Sequence, residues 1–203
     1  MADIISVYGK LLLEAMGQTL IMAFYSLIFA SIIGLIFGML SVLKSKVCNV
    51  IAQIFVDIIR GVPMIVLAFF VFFGIPYALK NFLHSTFTFT ALQAGIICLS
   101  LNCGAYMSEI IRAGIQSVDV GQMEAARSLG IPYWKAMHKV VLPQAIRTMI
   151  PSIINQFIIT LKDTSILSVI GFPELVNAAQ NVIAINFKSF QVWFLVGLMY
   201  LIV

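Results

Sequence analysis

Long apolar runs alternate with short polar segments along this chain. Residues 15–43 contain no Asp, Glu, Lys or Arg, and neither do residues 61–79. About 20 helical residues cross the ~30 Å hydrocarbon core of a bilayer, so each run is long enough to be a span. Five spans are expected, over residues 19–43, 61–79, 90–108, 148–170 and from 190 onward. The last run has reached only 14 residues at Val203, which at ~1.5 Å per residue covers about 21 Å. The C-terminal helix is therefore expected to be truncated here, with the natural chain continuing.

Composition agrees with the pattern. With 62% hydrophobic and 10% charged residues, the chain lacks the polar surface of a soluble domain this size. Backbone groups in lipid must be satisfied within the segment that carries them, and the expected fold is all-α and polytopic. The first run is far longer than a secretory h-region and has no A-x-A cleavage pattern. Basic residues cluster after the first span, at Lys44 and Lys46, and after the third, at Arg112, Arg127, Lys135, Lys139 and Arg147. Only Lys80 and Lys188 follow the second and fourth. The positive-inside rule then places the N-terminus outside and the C-terminus inside. The net charge of +4 is accounted for by those loops and gives no sign of nucleic-acid binding. Cys48, Cys98 and Cys103 are odd in number and lack ligand spacing, so they are read as packing residues; neither His84 nor His138 has a metal partner at ligand spacing. With no internal repeat or soluble segment, residues 1–203 are expected to form one transmembrane domain.

Residues 119–143 break the apolar pattern. Asp119 with Gln122 three residues on has the form of a capping box, and the helix it starts should run to Leu129. Gly130 then supplies a left-handed C′ residue and Pro132 opens a second helix. Tyr133, Met137, Val140 and Val141 share one face of it, Lys135, His138 and Lys139 point elsewhere, and Pro143 is expected to end it. So short a helix cannot span. It could lie at the headgroups, anchored by Tyr133 and Trp134, or it could dock a partner, whose close approach Ala125, Ala126 and Ala136 would permit.

The spacing Glu124-Ala125-Ala126, Gly130, Val140, Leu142-Pro143 resembles the EAA loop of permease subunits of bacterial ABC importers, with Val140 where Ile is usual. The segments "FVDIIRGVPMIVLAFFVFFGIP", "LSLNCGAYMSEIIRAGIQSVDVGQ" and "LKDTSILSVIG" are similar to the polar amino-acid branch of that family, the histidine, glutamine and arginine permease type. The match covers nearly the whole chain in order, with one departure: Leu67 stands where relatives usually carry Gln. The resemblance implies that residues 119–143 form a cytoplasmic coupling-helix hairpin, with Glu124, Ala125, Ala126, Gly130, Pro132, Leu142 and Pro143 docking an ATPase. It also implies a second permease subunit, identical or homologous, two ATPase subunits that bind the ATP and Mg, an extracellular substrate-binding protein, and residence in the bacterial inner membrane.

Charged groups inside a span cost about 2.5–3.5 kcal/mol on insertion scales and normally face a bundle interior or a wet cavity. Asp57 and Arg60, spaced i, i+3, are expected to pair, with Arg60 also able to meet a substrate carboxylate. On the fourth span Ser152, Asn155, Gln156, Thr160, Lys162 and Asp163 fall on one broad side, and Ile154, Phe157, Ile158 and Leu161 on the other. The third span carries Asn102, Tyr106 and Glu109 at i, i+4, i+7. Each residue singly could be an interhelical hydrogen bond, but together the stripes suggest a route for a zwitterion. Glu109 and Arg112 are expected to be a structural pair, and Gly34 and Gly38 a packing motif.

No Gly-x-x-x-x-Gly-Lys-Ser/Thr loop occurs, so the chain is expected to be a permease without its own ATPase site or cofactor. A membrane enzyme using Asp57, Glu109 and Asp163 as acid–base groups, and a passive channel, are the competing classes.

Overall fold

The computed structural model describes residues 2–84 and 86–203, and among them every regular element is helical. The main helices are α1 Ala2–Val42, α2 Lys46–Gly61, α3 Met64–Phe69, α4 Ile75–Leu83, α5 Ala91–Gln116, α6 Val120–Ser128, α7 Tyr133–Ala136, α8 Leu142–Asp163, α9 Leu175–Asn186 and α10 Ser189–Ile202. A π turn, Phe70–Gly74, joins α3 to α4, another, Met137–Val141, joins α7 to α8, and a 3₁₀ helix, Thr164–Ile170, follows α8. Four stretches are long and apolar enough to cross a membrane: Ile4–Val42, Met64–Leu83, Ala91–Gln116 and Tyr133–Ile170. The fifth expected run forms α10, a helix of 14 residues.

Several boundaries differ from the expectation. The first helix starts at Ala2 rather than near Thr19, because nothing before Thr19 breaks it and Lys10 and Glu14 lie 3.9 Å apart at i, i+4. Hydropathy marks where lipid begins, and a helix need not end there. Gly61 does not begin the second span; it ends α2, and Pro63 takes the N-cap position of α3. A reciprocal capping box stands at the start of α5, a Thr-x-x-Gln signal present in the sequence. The Thr90 N–H donates to Gln93 Oε1 at 3.0 Å, and the Gln93 N–H to Thr90 Oγ1 at 3.2 Å. The sequence reading also missed α9.

The chain divides into two compact units, one of residues 1–28, 62–100 and 159–203, the other of residues 29–61 and 101–158. In the first, Ile4, Leu12 and Met16 of α1 form a core with Leu175, Ala179 and Val182 of α9 and Val192 and Val196 of α10. Thr19 ties the two ends of the chain: its Oγ1 donates to the Ala15 carbonyl at 3.1 Å and accepts the Leu175 N–H at 3.1 Å. Glu174, fully buried, N-caps α9 by accepting from the Val176 and Asn177 N–H groups at 2.8 and 2.6 Å. Burial pushes its carboxyl above the usual range, and those bonds work against the shift. Cys98, buried as expected of a packing residue, donates to the Leu67 carbonyl at 3.7 Å.

In the second unit α1 and α5 meet at small residues. A Cβ on Gly38 would stand 2.8 Å from Ile111 Cβ, one on Gly34 would overlap Met107, and one on Gly104 would stand 2.7 Å from Ile33 Cγ2. The glycine pair is thus a packing motif, as expected. Ile111 and Ile115 continue into a core with Ala145 and Met149 of α8, while Phe37 of α1 stacks on Phe55 of α2 at 3.9 Å. Ile146, Ile150, Ile154 and Ile158 form an exposed stripe at i, i+4, the face a membrane helix turns to lipid.

Gly38→Val should destabilise the purified protein by about 1–3 kcal/mol through overpacking, seen as a lower thermal midpoint in detergent. Gly17→Ala should not lower the midpoint, because a Cβ there meets nothing within 4 Å.

Candidate functional site: polar cavities and a capped hairpin

Two cavities with polar side chains in their walls lie in the unit built from residues 29–61 and 101–158. The larger, of about 740 Å³, has Arg60, Tyr106 and Glu109 on one side and Ser152, Asn155 and Gln156 on the other. The helical spacings of α5 and α8 explain this convergence: 106 and 109 are neighbours on one helix face, as are 152, 155 and 156. Pro151 also lines the cavity from within α8. Having no N–H, it offers the Arg147 carbonyl no i→i−4 donor.

Glu109 is the electrostatic centre. Its carboxylate accepts from Arg112 in a two-pronged contact, Nε to Oε1 at 3.0 Å and Nη2 to Oε2 at 2.8 Å, the geometry in which arginine binds carboxylate most firmly. Arg112 Nη1 also donates to Gln116 Oε1 at 3.0 Å. The expected Glu109–Arg112 pair is present. The expected Asp57–Arg60 pair is not: Arg60 lies 3.8 Å from Glu109 Oε2 and packs over the Tyr106 ring at 4.7 Å. Spacing along one helix permits an i, i+3 pair, but a carboxylate and an aromatic face on α5 compete for the guanidinium.

Asp57 instead borders the smaller cavity, of about 290 Å³, with Arg60, Glu109 and Arg112. Asn49 and Gln53 extend the same face of α2, and Ser108 and Gln116 that of α5. Sequence reasoning missed these four, although 49, 53, 57 and 60 form a polar stripe at i, i+4, i+8, i+11 that could have been found. Of the other singled-out residues, Asn102 is buried one turn from Tyr106 but borders neither cavity. Thr160, Lys162 and Asp163 belong to the other unit: Thr160 is buried, Asp163 half-buried and Lys162 exposed.

The segment after α5 is a capped hairpin. Asp119 Oδ1 accepts the Gly121 N–H at 2.6 Å, so the expected cap is present, though Gln122 does not reach back. Its side chain instead accepts from Gln144 at 3.5 Å. Gly130 has φ +77°, the left-handed geometry expected. Its N–H donates to the Arg127 carbonyl at 3.0 Å and the Ile131 N–H to the Ala126 carbonyl at 3.2 Å, which is a complete Schellman motif.

Pro143 does not end the second helix. Helix α7 passes through the π turn into α8, giving one stretch, Tyr133–Ile170. The wide turn, closed by the Leu142 N–H on the Met137 carbonyl, brings a proline lacking its donor into the first turn of α8, where it is tolerated. Glu124, Ala125, Gly130, Pro132 and Pro143 are exposed, Leu142 is half-buried and Ala126 is buried.

Helices with apolar outer faces around polar cavities define a membrane transport domain. The chain belongs to the family described as binding-protein-dependent transport system inner membrane component, whose profile matches residues 14–203, and it is a multi-pass inner-membrane permease. The glutamine transport system permease protein GlnP of Escherichia coli strain K12 is 36% identical over 193 residues, 95% of this chain and 86% of that protein. The probable amino-acid permease protein YxeN of Bacillus subtilis strain 168 is 37% identical over 189 residues, 93% of this chain and 83% of that one. Among solved structures, one described as a crystal structure of an amino acid ABC transporter with histidines is 34% identical with a TM-score of 0.87, covering 96% of this chain and 88% of that chain. The MetNI methionine ABC transporter, at 20% identity and a TM-score of 0.75 over 96% of this chain and 92% of that chain, shares the fold.

Asp119→Ala should loosen the start of α6 by about 1 kcal/mol, read as faster hydrogen exchange at the amides of residues 120–123.

Proposed function

We propose that this chain is the permease subunit of an ATP-driven importer of polar amino acids, with five crossings, the N-terminus outside and the C-terminus inside. The observation that carries the reading is the 740 Å³ cavity, set in a chain 36% identical to a glutamine permease. Its donors at Arg60, Asn155 and Gln156 and its acceptor at Glu109 suit a zwitterion. Asp57 and Tyr106 extend the route; Asn102, Thr160, Lys162 and Asp163 are further candidates on α5 and at the end of α8.

The hairpin is the docking element. Glu124, Ala125, Ala126, Gly130, Pro132, Leu142 and Pro143 would meet a cytoplasmic ATPase, with ATP and Mg bound by that partner and not by this chain. A pair of permease subunits, two ATPases and an extracellular binding protein would complete the transporter. The rigidity of the Schellman turn and the continuity of α7, π turn and α8 support this use. Movement at residues 133–143 is passed along one helix to Ser152, Asn155 and Gln156, as rigid-body alternating access requires.

The complex reconstituted with its binding protein should hydrolyse ATP faster with one or a few polar amino acids. Gly130→Val should abolish that stimulation while leaving the membrane domain folded, since a β-branched residue resists φ +77° although its surroundings are open. Full stimulation in the variant would count against docking through the hairpin. Gln156→Leu should lower uptake about tenfold or more, with the hairpin and ATPase assembly intact.

A further inference from the structure

The smaller cavity, of about 290 Å³ between α1, α2 and α5, contains polar groups that helix packing does not use. Ser108 is 1% exposed and its Oγ has no hydrogen-bond partner among the described residues; nor has the buried Oδ1 of Asn49. Leaving such an atom unsatisfied costs ~1–3 kcal/mol. Both residues line the cavity.

The charges around it balance, Asp57 and Glu109 against Arg60 and Arg112. Arg112 is engaged by Glu109 and Gln116 along its whole guanidinium. Arg60 is not: at 3.8 Å its contact with Glu109 is beyond hydrogen-bond length, and its other neighbour is the face of Tyr106. Asp57 forms no hydrogen bond or ion pair of its own among the described residues. The cavity therefore offers one open cationic donor and one open carboxylate, between walls that include Asn49 and Ser108. A simple anion would meet Asp57 and Glu109, and a simple cation would meet Arg60 and Arg112. A dipolar molecule satisfies both ends.

We infer that this cavity is a second amino-acid site, distinct from the 740 Å³ cavity and joined to it at the Arg60–Glu109 pair, which borders both. The inference rests on the transport reading above and adds to it a station beyond the first cavity. The bound carboxylate takes the open donors of Arg60 and the ammonium group takes Asp57, one turn away on the same helix. A carboxylate on Arg60 competes with Glu109, so occupancy here loosens the pair between the cavities. In the proposed orientation this site lies toward the cytoplasmic end of α5, where it meets solute leaving the membrane.

The test uses the assembled transporter in lipid nanodiscs without its binding protein, and equilibrium binding of each radiolabelled proteinogenic amino acid in turn. At least one should bind at two molecules per permease chain. Asp57→Asn, an exposed and isosteric change, should weaken the second site about tenfold or more. Gln53→Trp, a change at an exposed position on the cavity wall, should fill the cavity, remove that site and leave the other. If an amino acid stimulates ATP hydrolysis but never exceeds one molecule per chain, or if the second molecule survives both substitutions, the cavity holds only water and the inference is overturned. If no amino acid binds and none stimulates hydrolysis, the transport reading fails as well.

Discussion

The close approach of α1 and α5 is the contact around which the cavity-bearing unit is organised. Lipid is as apolar as leucine, so burial alone does not hold two membrane helices together; van der Waals contact between backbones does. Gly34 and Gly38 receive Met107 and Ile111, and Gly104 receives Ile33, so each helix supplies both knobs and gaps. With that face of α5 committed, Tyr106 and Glu109 turn elsewhere, toward Arg60. The Phe37–Phe55 stack places α2 on the same scaffold, which brings Arg60 within reach.

Charge at this depth survives because it is shared. Glu109 is held firmly by one arginine and loosely by another, and the difference gives the two guanidinium groups separate roles. Arg112 neutralises the carboxylate permanently and anchors the end of α5 through Gln116. Arg60, resting on an aromatic face, is held only loosely by the same carboxylate.

The hairpin solves a different problem, that of keeping a short, polar helical turn rigid. Its polar backbone ends are satisfied by the Asp119 cap and the Schellman bonds, and its second half is continuous with α8 through the π turn. Leu129 and Trp134 on it are exposed. One helix thus reaches from the hairpin to the cavity wall.

The apolar runs, an apolar side of α8 at Ile154 and Ile158 and the Gly34–Gly38 motif were legible in the sequence, because lipid forces backbone bonds to be local and side-chain polarity to follow helical period. So were the Asp119 cap and the left-handed Gly130, which depend on residues within one turn. Helix ends were less legible, since neither the extension of α1 back to Ala2 nor the passage of α8 through Pro143 leaves a hydropathy signal. The partner of Arg60 was not legible at all. Spacing allowed Asp57, and only the position of Glu109 and Tyr106 on another helix decided between them. The sequence by itself determined that this is a membrane helix bundle with a capped hairpin, because those features rest on local bonding. The tertiary structure decided which polar residues share a cavity, because that depends on how helices far apart in the chain are packed.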